Sequence, residues 1–178
     1  MTGGAPDAIM QLLIIRHAIA EDRVEHAARG HHDDERQLTA KGAERMRQGA
    51  AGLKRLVPRV DVLAASPLKR AQQTAAIVQE ALDAPKPMLR DELSPESAPG
   101  AFASWLGLLP PDGIVAVVGH EPHLSELIGW FTTGEARSTV ELRKGAACLL
   151  EITGTPQPGS AVLLWLLTPK QLRLLGGA

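Results

Sequence analysis

Leu12-Leu13-Ile14-Ile15-Arg16-His17 is the stretch that decides the fold of this 178-residue chain. Four consecutive apolar residues that end at a charged pair are typical of a strand buried on both faces of a sheet. In open α/β sheets, ligands bind outside the carboxyl ends of such strands. The stretch therefore predicts a central parallel strand that presents a guanidinium and an imidazole at the ligand-binding edge.

Two further apolar runs end in polar residues in the same way. Residues 62–65 lead into Ser66-Pro67-Leu68-Lys69-Arg70, and residues 114–118 lead into Gly119-His120. Ser66 and Pro67 also suit the N-cap and first position of a helix. Because the carboxyl ends of parallel strands meet at one edge of a sheet, we expect the three strand ends to border a single pocket.

The side chains at these strand ends fit a phosphoryl group. Arg16 and Arg70 each offer a planar fork of donors that can bind two phosphate oxygens. A neutral imidazole can accept a phosphoryl group covalently, and His17 is the candidate nucleophile, with a backbone carbonyl expected to fix its tautomer. His120 is placed to donate to a phosphate oxygen, and a bound dianion would keep it protonated.

Composition and charge limit the kind of protein. The chain is 44% hydrophobic with a net charge of −1, so we expect no partnership with nucleic acid or an anionic membrane. No run reaches the roughly 18 apolar residues of a membrane span, and residues 1–9 do not resemble a secretory signal, so a cytoplasmic location is expected. We expect a loose tail over residues 1–9 and one domain over residues 10–178. Cys148, the only cysteine, is expected in the core.

The order of strand and helix signals predicts the fold class. Alternating β and α segments are followed by two strands, at 146–152 and 161–167, that are expected to pair in antiparallel fashion. Pro85 and Pro87 restrict residues 86–89 to an edge strand. Residues 18–37 read as a long loop over the sheet edge with room for one short helical turn. Together these features predict a three-layer α/β/α sandwich with a mixed, mostly parallel central sheet.

Three motifs resemble those of the histidine phosphatase superfamily, whose fold is called phosphoglycerate-mutase-like: Arg16-His17-Ala18, Ser66 to Arg70, and Val118-Gly119-His120. The small size and the run Arg36 to Gly42 are similar to its SixA-type phosphohistidine phosphatases. The resemblance implies that His17 is the phosphorylated nucleophile and that Arg16, Arg70 and His120 complete the phosphate pocket. It adds Arg36 as a further substrate contact and implies a mechanism without metal or cofactor.

The sequence departs from the family pattern in ways that bear on substrate. Ala18 replaces the signature glycine, which predicts a backbone conformation that tolerates a Cβ. Many ester phosphatases of the superfamily carry an acidic proton donor, and Glu92 is the nearest match here. An alkoxide leaving group needs such an acid, whereas phosphohistidine leaves as an imidazole and needs it less. The cluster His31-His32-Asp33-Asp34 matches no trusted metal motif, so no metal site is predicted.

Three functions remain open at this point. The leading hypothesis is an enzyme that dephosphorylates phosphohistidine on a protein, such as a histidine phosphotransfer domain. The alternative is a phosphomonoesterase for small sugar or nucleotide phosphates with Glu92 as proton donor. The third is a non-catalytic module that binds phosphorylated partners and releases them intact.

Overall fold

The computed structural model describes residues 8–177, and its centre is a six-stranded mixed sheet. The spatial order of the strands is β3-β2-β4-β1-β5-β6. The pairs β3–β2, β2–β4 and β4–β1 are parallel, whereas β1–β5 and β5–β6 are antiparallel. The strands are β1 (Ile9–Arg16), β2 (Val62–Ala65), β3 (Met88–Leu89), β4 (Gly113–Gly119), β5 (Ala147–Thr153) and β6 (Ala161–Leu167).

Helices cover both faces of this sheet and confirm the predicted three layers. One face packs against α4 and α5, and the other against α2, α3 and α6. The short helix α1 lies in the loop between β1 and α2. The helices are α1 (Arg23–Ala28), α2 (Ala40–Leu56), α3 (Lys69–Leu82), α4 (Pro99–Leu106), α5 (His123–Thr133) and α6 (Pro169–Gly176). None of the helices in residues 8–177 is long and apolar enough to cross a membrane.

Strand β1 supplies side chains to two separate hydrophobic cores. Leu12 and Ile14 belong to the core under α4 and α5, while Leu13 and Ile15 belong to the core under α2, α3 and α6. All four side chains are fully buried, which confirms the interpretation of the run as a strand covered on both faces. Cys148 is also fully buried, as predicted, and burial raises the pKa of its thiol to about 12.

Glycines allow α2 and α6 to pack backbone against backbone. A Cβ added at Gly52 would lie 2.0 Å from the carbonyl oxygen of Leu172. Such a contact requires a residue without a side chain, so this helix pair depends on Gly52 for its close approach. The packing fixes the long helix that follows the loop over the sheet edge.

Three boundaries differ from those predicted. Residues 1–7 of the expected tail lie outside the described residues, but Ile9 already belongs to β1 and pairs with Thr153 of β5. The loop 18–37 holds the two-turn helix α1 and a 3₁₀ turn at Asp33–Glu35, more structure than its lack of periodicity indicated. Helix α3 begins at Lys69, and its N-cap is Leu68 rather than Ser66.

Candidate active site

The carboxyl ends of β1, β2 and β4 meet, as the sequence predicted. Arg16 lies opposite Gly119, and the pairing continues past the strands: the N–H of His17 donates to Gly119 O at 3.0 Å, and that of Ser66 donates to Val118 O at 2.9 Å. The rings of His17 and His120 therefore lie side by side, with centroids 5.0 Å apart.

His17 is held in the form that can act as a nucleophile. Its Nδ1 is 2.7 Å from the carbonyl oxygen of Ala18, and its Nε2 is 3.3 Å from Nε of Arg70. A neutral ring with the proton on Nδ1 satisfies both contacts, which confirms the predicted backbone carbonyl. Burial first, and then the charges of Arg70, Arg16 and Lys144, lower the pKa of His17 to about 3. The Nε2 lone pair is therefore present at neutral pH.

Ala18, the residue after His17, is held in place by α3. The N–H of Ala18 donates to the Thr74 hydroxyl at 3.0 Å, and that hydroxyl donates to the carbonyl oxygen of Arg70 at 2.7 Å. Among residues 8–177, only Asp83 combines a side chain with a positive φ, so the backbone at Ala18 tolerates a Cβ as predicted. The Thr74 bridge ties the strand that carries His17 to the helix that carries Arg70.

Arg70 lies in the first turn of α3 and is almost completely buried. In addition to its contact with His17, its Nη1 donates to the backbone oxygen of Asp33 at 2.8 Å. Its Nη2 donates to Asp33 Oδ2 at 3.1 Å. Asp33 was missed as a site residue, because the polar loop around it shows no periodicity that would place it against α3.

His120 is positioned by Ser66. Its Nε2 lies 2.8 Å from Ser66 Oγ, and the same hydroxyl accepts from the N–H of Leu68 at 3.3 Å. Burial, followed by the charges of His17 and Arg70, lowers the pKa of His120 to about 2, so the ring is neutral in this structure. Its protonation beside a phosphate dianion stays a prediction. Ser66 directly follows the apolar run of β2, and that position was the available signal, but Ser66 was interpreted as a helix cap.

Further cations surround the two histidines. Nη1 of Arg16 donates to Leu142 O at 2.8 Å, and Arg36, which is 8% exposed, donates through Nη1 to Glu21 O at 2.9 Å. Lys144 also faces the site: burial and the charges of the arginines at 16, 36 and 70 lower its pKa. Lys144 was not identified from sequence, where it belongs only to the short basic run Arg143-Lys144 before β5.

These side chains border a cavity of about 920 Å³ that also has acidic walls. Glu121 lines this cavity, and burial raises the pKa of its carboxyl group. One of its oxygens accepts a hydrogen bond from the Ser125 hydroxyl, and the other oxygen is buried. No group of three or more His, Cys, Asp or Glu in the described part of the chain is arranged to hold a metal ion. The cavity lining includes Arg16, His17, Asp33, Arg36, Arg70, His120, Glu121 and Lys144.

Glu92 is a correction to the sequence-based expectation, because within residues 8–177 it does not line this cavity. Arg90 donates to both oxygens of the Glu92 carboxylate, from Nη2 to Oε1 at 2.7 Å and from Nε to Oε2 at 3.2 Å. Burial opposes ionisation, but hydrogen bonds from its own N–H and from Arg90 keep the pKa of Glu92 below its ordinary value. The 3₁₀ turn at Asp91–Leu93 keeps the two side chains together.

Comparison with known proteins identifies the family. The pattern of the histidine phosphatase superfamily (branch 1) matches residues 12–108. An uncharacterised protein of Picosynechococcus sp. is 36% identical over 137 residues, covering 76% of this chain and 81% of that protein. The phosphohistidine phosphatase SixA of Escherichia coli is 27% identical over 168 residues, covering 93% of this chain and 98% of SixA.

A solved structure extends this similarity to the fold. The protein histidine phosphatase SixA complexed with tungstate matches with a TM-score of 0.78 and 26% identity, covering 92% of this chain and 99% of that one. The predicted phosphoglycerate-mutase-like fold and the resemblance to the SixA branch are confirmed by these matches. More distant structures of the same fold include phosphoglycerate mutases and a phosphoserine phosphatase, so the fold alone does not define the substrate.

Proposed function

The chain belongs to the histidine phosphatase superfamily and is a phosphatase, and we propose that it removes the phosphoryl group from phosphohistidine on another protein. The observation that carries the proposal is the state of His17: a neutral imidazole whose Nδ1 donates to Ala18 O and whose Nε2 lies at the floor of a cavity rich in arginine. In the proposed reaction the arginines stabilise the negative charge of the phosphoryl oxygens, and His17 is the nucleophile.

In the first step, the Nε2 lone pair of His17 attacks phosphorus. A P–N bond forms to His17 while the P–N bond of the substrate breaks and its electron pair returns to the leaving imidazole. If the second nitrogen of the substrate ring carries a proton, that ring leaves as neutral imidazole and needs no donor. The positive charge that develops on His17 is stabilised by the hydrogen bond from Nδ1 to Ala18 O.

In the second step, water attacks the phosphorus bound to His17. The bond to Nε2 breaks, His17 returns to the neutral ring, and both hydrogens of the water leave with the dihydrogen phosphate. Charge on the transferred oxygens is stabilised by positioned donors, for which the guanidinium groups of Arg16, Arg70 and Arg36 and the ring of His120 are the proposed sources. Bond formation at Nε2 also frees the Nε–H of Arg70 to face a phosphoryl oxygen.

Three acidic groups in or beside the cavity are engaged by other side chains, and this supports phosphohistidine over an ester. Glu92 is paired with Arg90 outside the cavity lining, one oxygen of Glu121 accepts from the Ser125 hydroxyl, and its other oxygen is buried. Asp33 is paired with Arg70 and Arg36. An ester phosphatase benefits from a carboxylic acid positioned at the leaving oxygen, whereas an imidazole leaving group does not depend on one. The volume of the cavity, about 920 Å³, also leaves room for a side chain of another protein.

The test compares phosphoryl donors on the same enzyme. A histidine phosphotransfer protein carrying phosphohistidine is incubated with the enzyme beside p-nitrophenyl phosphate and a sugar phosphate, with His17→Ala as the inactive control. We expect kcat/KM to be highest for the phosphohistidine protein. Rapid ester turnover without phosphohistidine activity would overturn the substrate assignment, and release of the phosphorylated protein intact would identify a binding module.

A Glu92→Gln variant separates the proposal from the small-ester alternative. Because Glu92 is ionised and bound by Arg90, we expect the variant to keep the wild-type rate on every donor. The alternative requires a strong loss on esters, with a pH dependence that reports the missing acid. Glu96→Gln is the matched control, since Glu96 is exposed and lines the cavity.

A further inference from the structure

The Asp33 carboxylate lies among three arginine side chains at the edge of the cavity. We propose that Asp33 is a positioning residue that fixes the guanidinium groups of Arg70 and Arg36 as one phosphoryl-binding surface. The inference rests on the proposed function for the role of that surface, and it adds a residue for which neither motif nor composition suggested any role in phosphoryl binding.

The contacts of Asp33 divide between the two arginines. Nη2 of Arg70 lies 3.1 Å from Oδ2, and Nε of Arg36 lies 2.9 Å from Oδ1. The backbone oxygen of Asp33 accepts a third bond, from Nη1 of Arg70 at 2.8 Å. Both guanidinium groups are nearly buried, whereas the Asp33 side chain is 35% exposed, so solvent screens these bonds only in part. The contact with Arg23 at 3.2 Å is different, because that side chain is 78% exposed and contributes little.

The direction of the Arg70 fork follows from these bonds. A guanidinium carries five N–H donors in a rigid plane. Asp33 takes the edge formed by Nη1 and Nη2 and leaves the edge that carries Nε directed at Nε2 of His17, 3.3 Å away. The carboxylate therefore does not lie between Arg70 and the nucleophile. This placement argues that Asp33 orients Arg70 and does not occupy the position of the phosphoryl group.

Charge is the second part of the role. Arg36 and Arg70 carry like charges and repel one another, and the charge of Arg36 acts on Arg70. Although burial opposes ionisation, the hydrogen bond from Arg36 and the charges of Arg70, Arg36 and Arg23 hold the pKa of Asp33 below its ordinary value. Asp33 is therefore an anion at neutral pH and offsets the repulsion between the two cations. The same ionisation excludes it as a proton donor there.

The position of Asp33 is itself fixed by the loop. It begins the 3₁₀ turn at Asp33–Glu35, and Arg36 N–H donates back to its carbonyl oxygen at 3.4 Å. Two hydrogen bonds between Glu21 and Gln37, each 2.9 Å long, join the two ends of the loop that contains Asp33. A fixed carboxylate is what a positioning role requires, because its bonds then define where the arginine donors point.

The experiment measures inorganic tungstate binding by calorimetry together with kcat and KM for Asp33→Asn. We expect tungstate affinity and kcat to fall by about 10- to 100-fold, the scale of a misdirected catalytic group. Asp34→Asn is the matched control: Asp34 lines the same cavity and is exposed, and it makes no ion pair within residues 8–177. Its variant loses the same charge and should stay within about twofold of wild type. Tungstate binding does not depend on the natural phosphoryl donor, so failure of the substrate assignment leaves this test intact.

Two further variants keep the inference falsifiable if Asp33→Asn folds poorly. Asp33→Glu keeps the charge and should recover part of the lost kcat. If the role of Asp33 were purely structural, the variants would differ in thermal unfolding and the difference in kcat would follow from it. In an Arg36→Gln background the effect of Asp33→Asn should shrink, because the two residues act through the same contact. Tighter tungstate binding by Asp33→Asn would show that the carboxylate competes with phosphate. Unchanged binding and unchanged kcat would show that it has no role, and either result overturns the inference.

Discussion

Replacement of Arg70 by alanine tests the centre of the proposed phosphate site. The variant removes the donor to His17 Nε2 and both donors to Asp33 from a position that is 4% exposed. Loss of one positioned donor of this kind costs about 2.7–4 kcal/mol of transition-state stabilisation, or about 100- to 1,000-fold in kcat. Because the Arg70 charge also lowers the pKa of His17, we expect the acidic limb of the pH–rate profile to move to higher pH.

Arg70→Lys is the informative partner of the alanine variant. Lysine keeps the positive charge, and so keeps the low pKa of His17, but it cannot form the planar fork. We expect its kcat to be close to that of the alanine variant, while its pH–rate profile stays like that of wild type. The assay is the initial rate of phosphate release between about pH 3 and pH 8, corrected for hydrolysis of the donor without enzyme, with tungstate affinity measured in parallel. A loss below about tenfold for Arg70→Ala, or full activity of Arg70→Lys, would refute the assigned position of this guanidinium.

Two further predictions concern stability. Burial lowers the pKa of His123 from 6.5 to about 4, so the unfolded chain binds a proton first, and stability that is complete above pH 6.5 is lost as the pH falls toward 4. Between pH 7.5 and pH 5 the wild-type free energy of unfolding should fall by about 2 kcal/mol through this group. In urea unfolding, the stability of His123→Leu relative to wild type should therefore rise by that amount over the same range. A difference between the two proteins that does not change with pH would contradict this. Gly52→Ala should destabilise by about 1–3 kcal/mol because its Cβ meets Leu172 O, whereas Gly100→Ala, which has open space, should not; equal unfolding midpoints for the two variants would argue against the close helix contact.

The fold and the main candidate site were readable from sequence for a local reason. An apolar run that ends at a polar pair states both that a strand is buried and where its carboxyl end lies. The parallel pairing of β1, β2 and β4 then brings Arg16, His17, Arg70 and His120 together without knowledge of any side-chain torsion. The antiparallel pair at β5 and β6 was predicted on the same grounds, from two apolar runs and a turn.

Residues outside this rule could not be placed. Ser66 and Asp33 act through hydrogen bonds whose directions depend on local backbone conformation, and segments 18–37 and 132–144 carry no periodic pattern in sequence. The sequence-based prediction for Glu92 could not foresee its ion pair with Arg90, which keeps Glu92 outside the cavity lining. Lys144 reaches the site because Gly145 N–H bonds to the backbone oxygens of residues 16 and 17, a tertiary contact invisible in sequence.

Direct detection of a phosphoryl group on His17 tests whether this residue is the nucleophile. The enzyme is mixed with a phosphohistidine protein, quenched in alkali within milliseconds, and its peptides are examined by mass spectrometry, with His17→Ala as the control. We expect a phosphorylated peptide that contains residue 17, absent from the control and formed no more slowly than phosphate is released. Phosphate release without that peptide, or full turnover by His17→Ala, would contradict it.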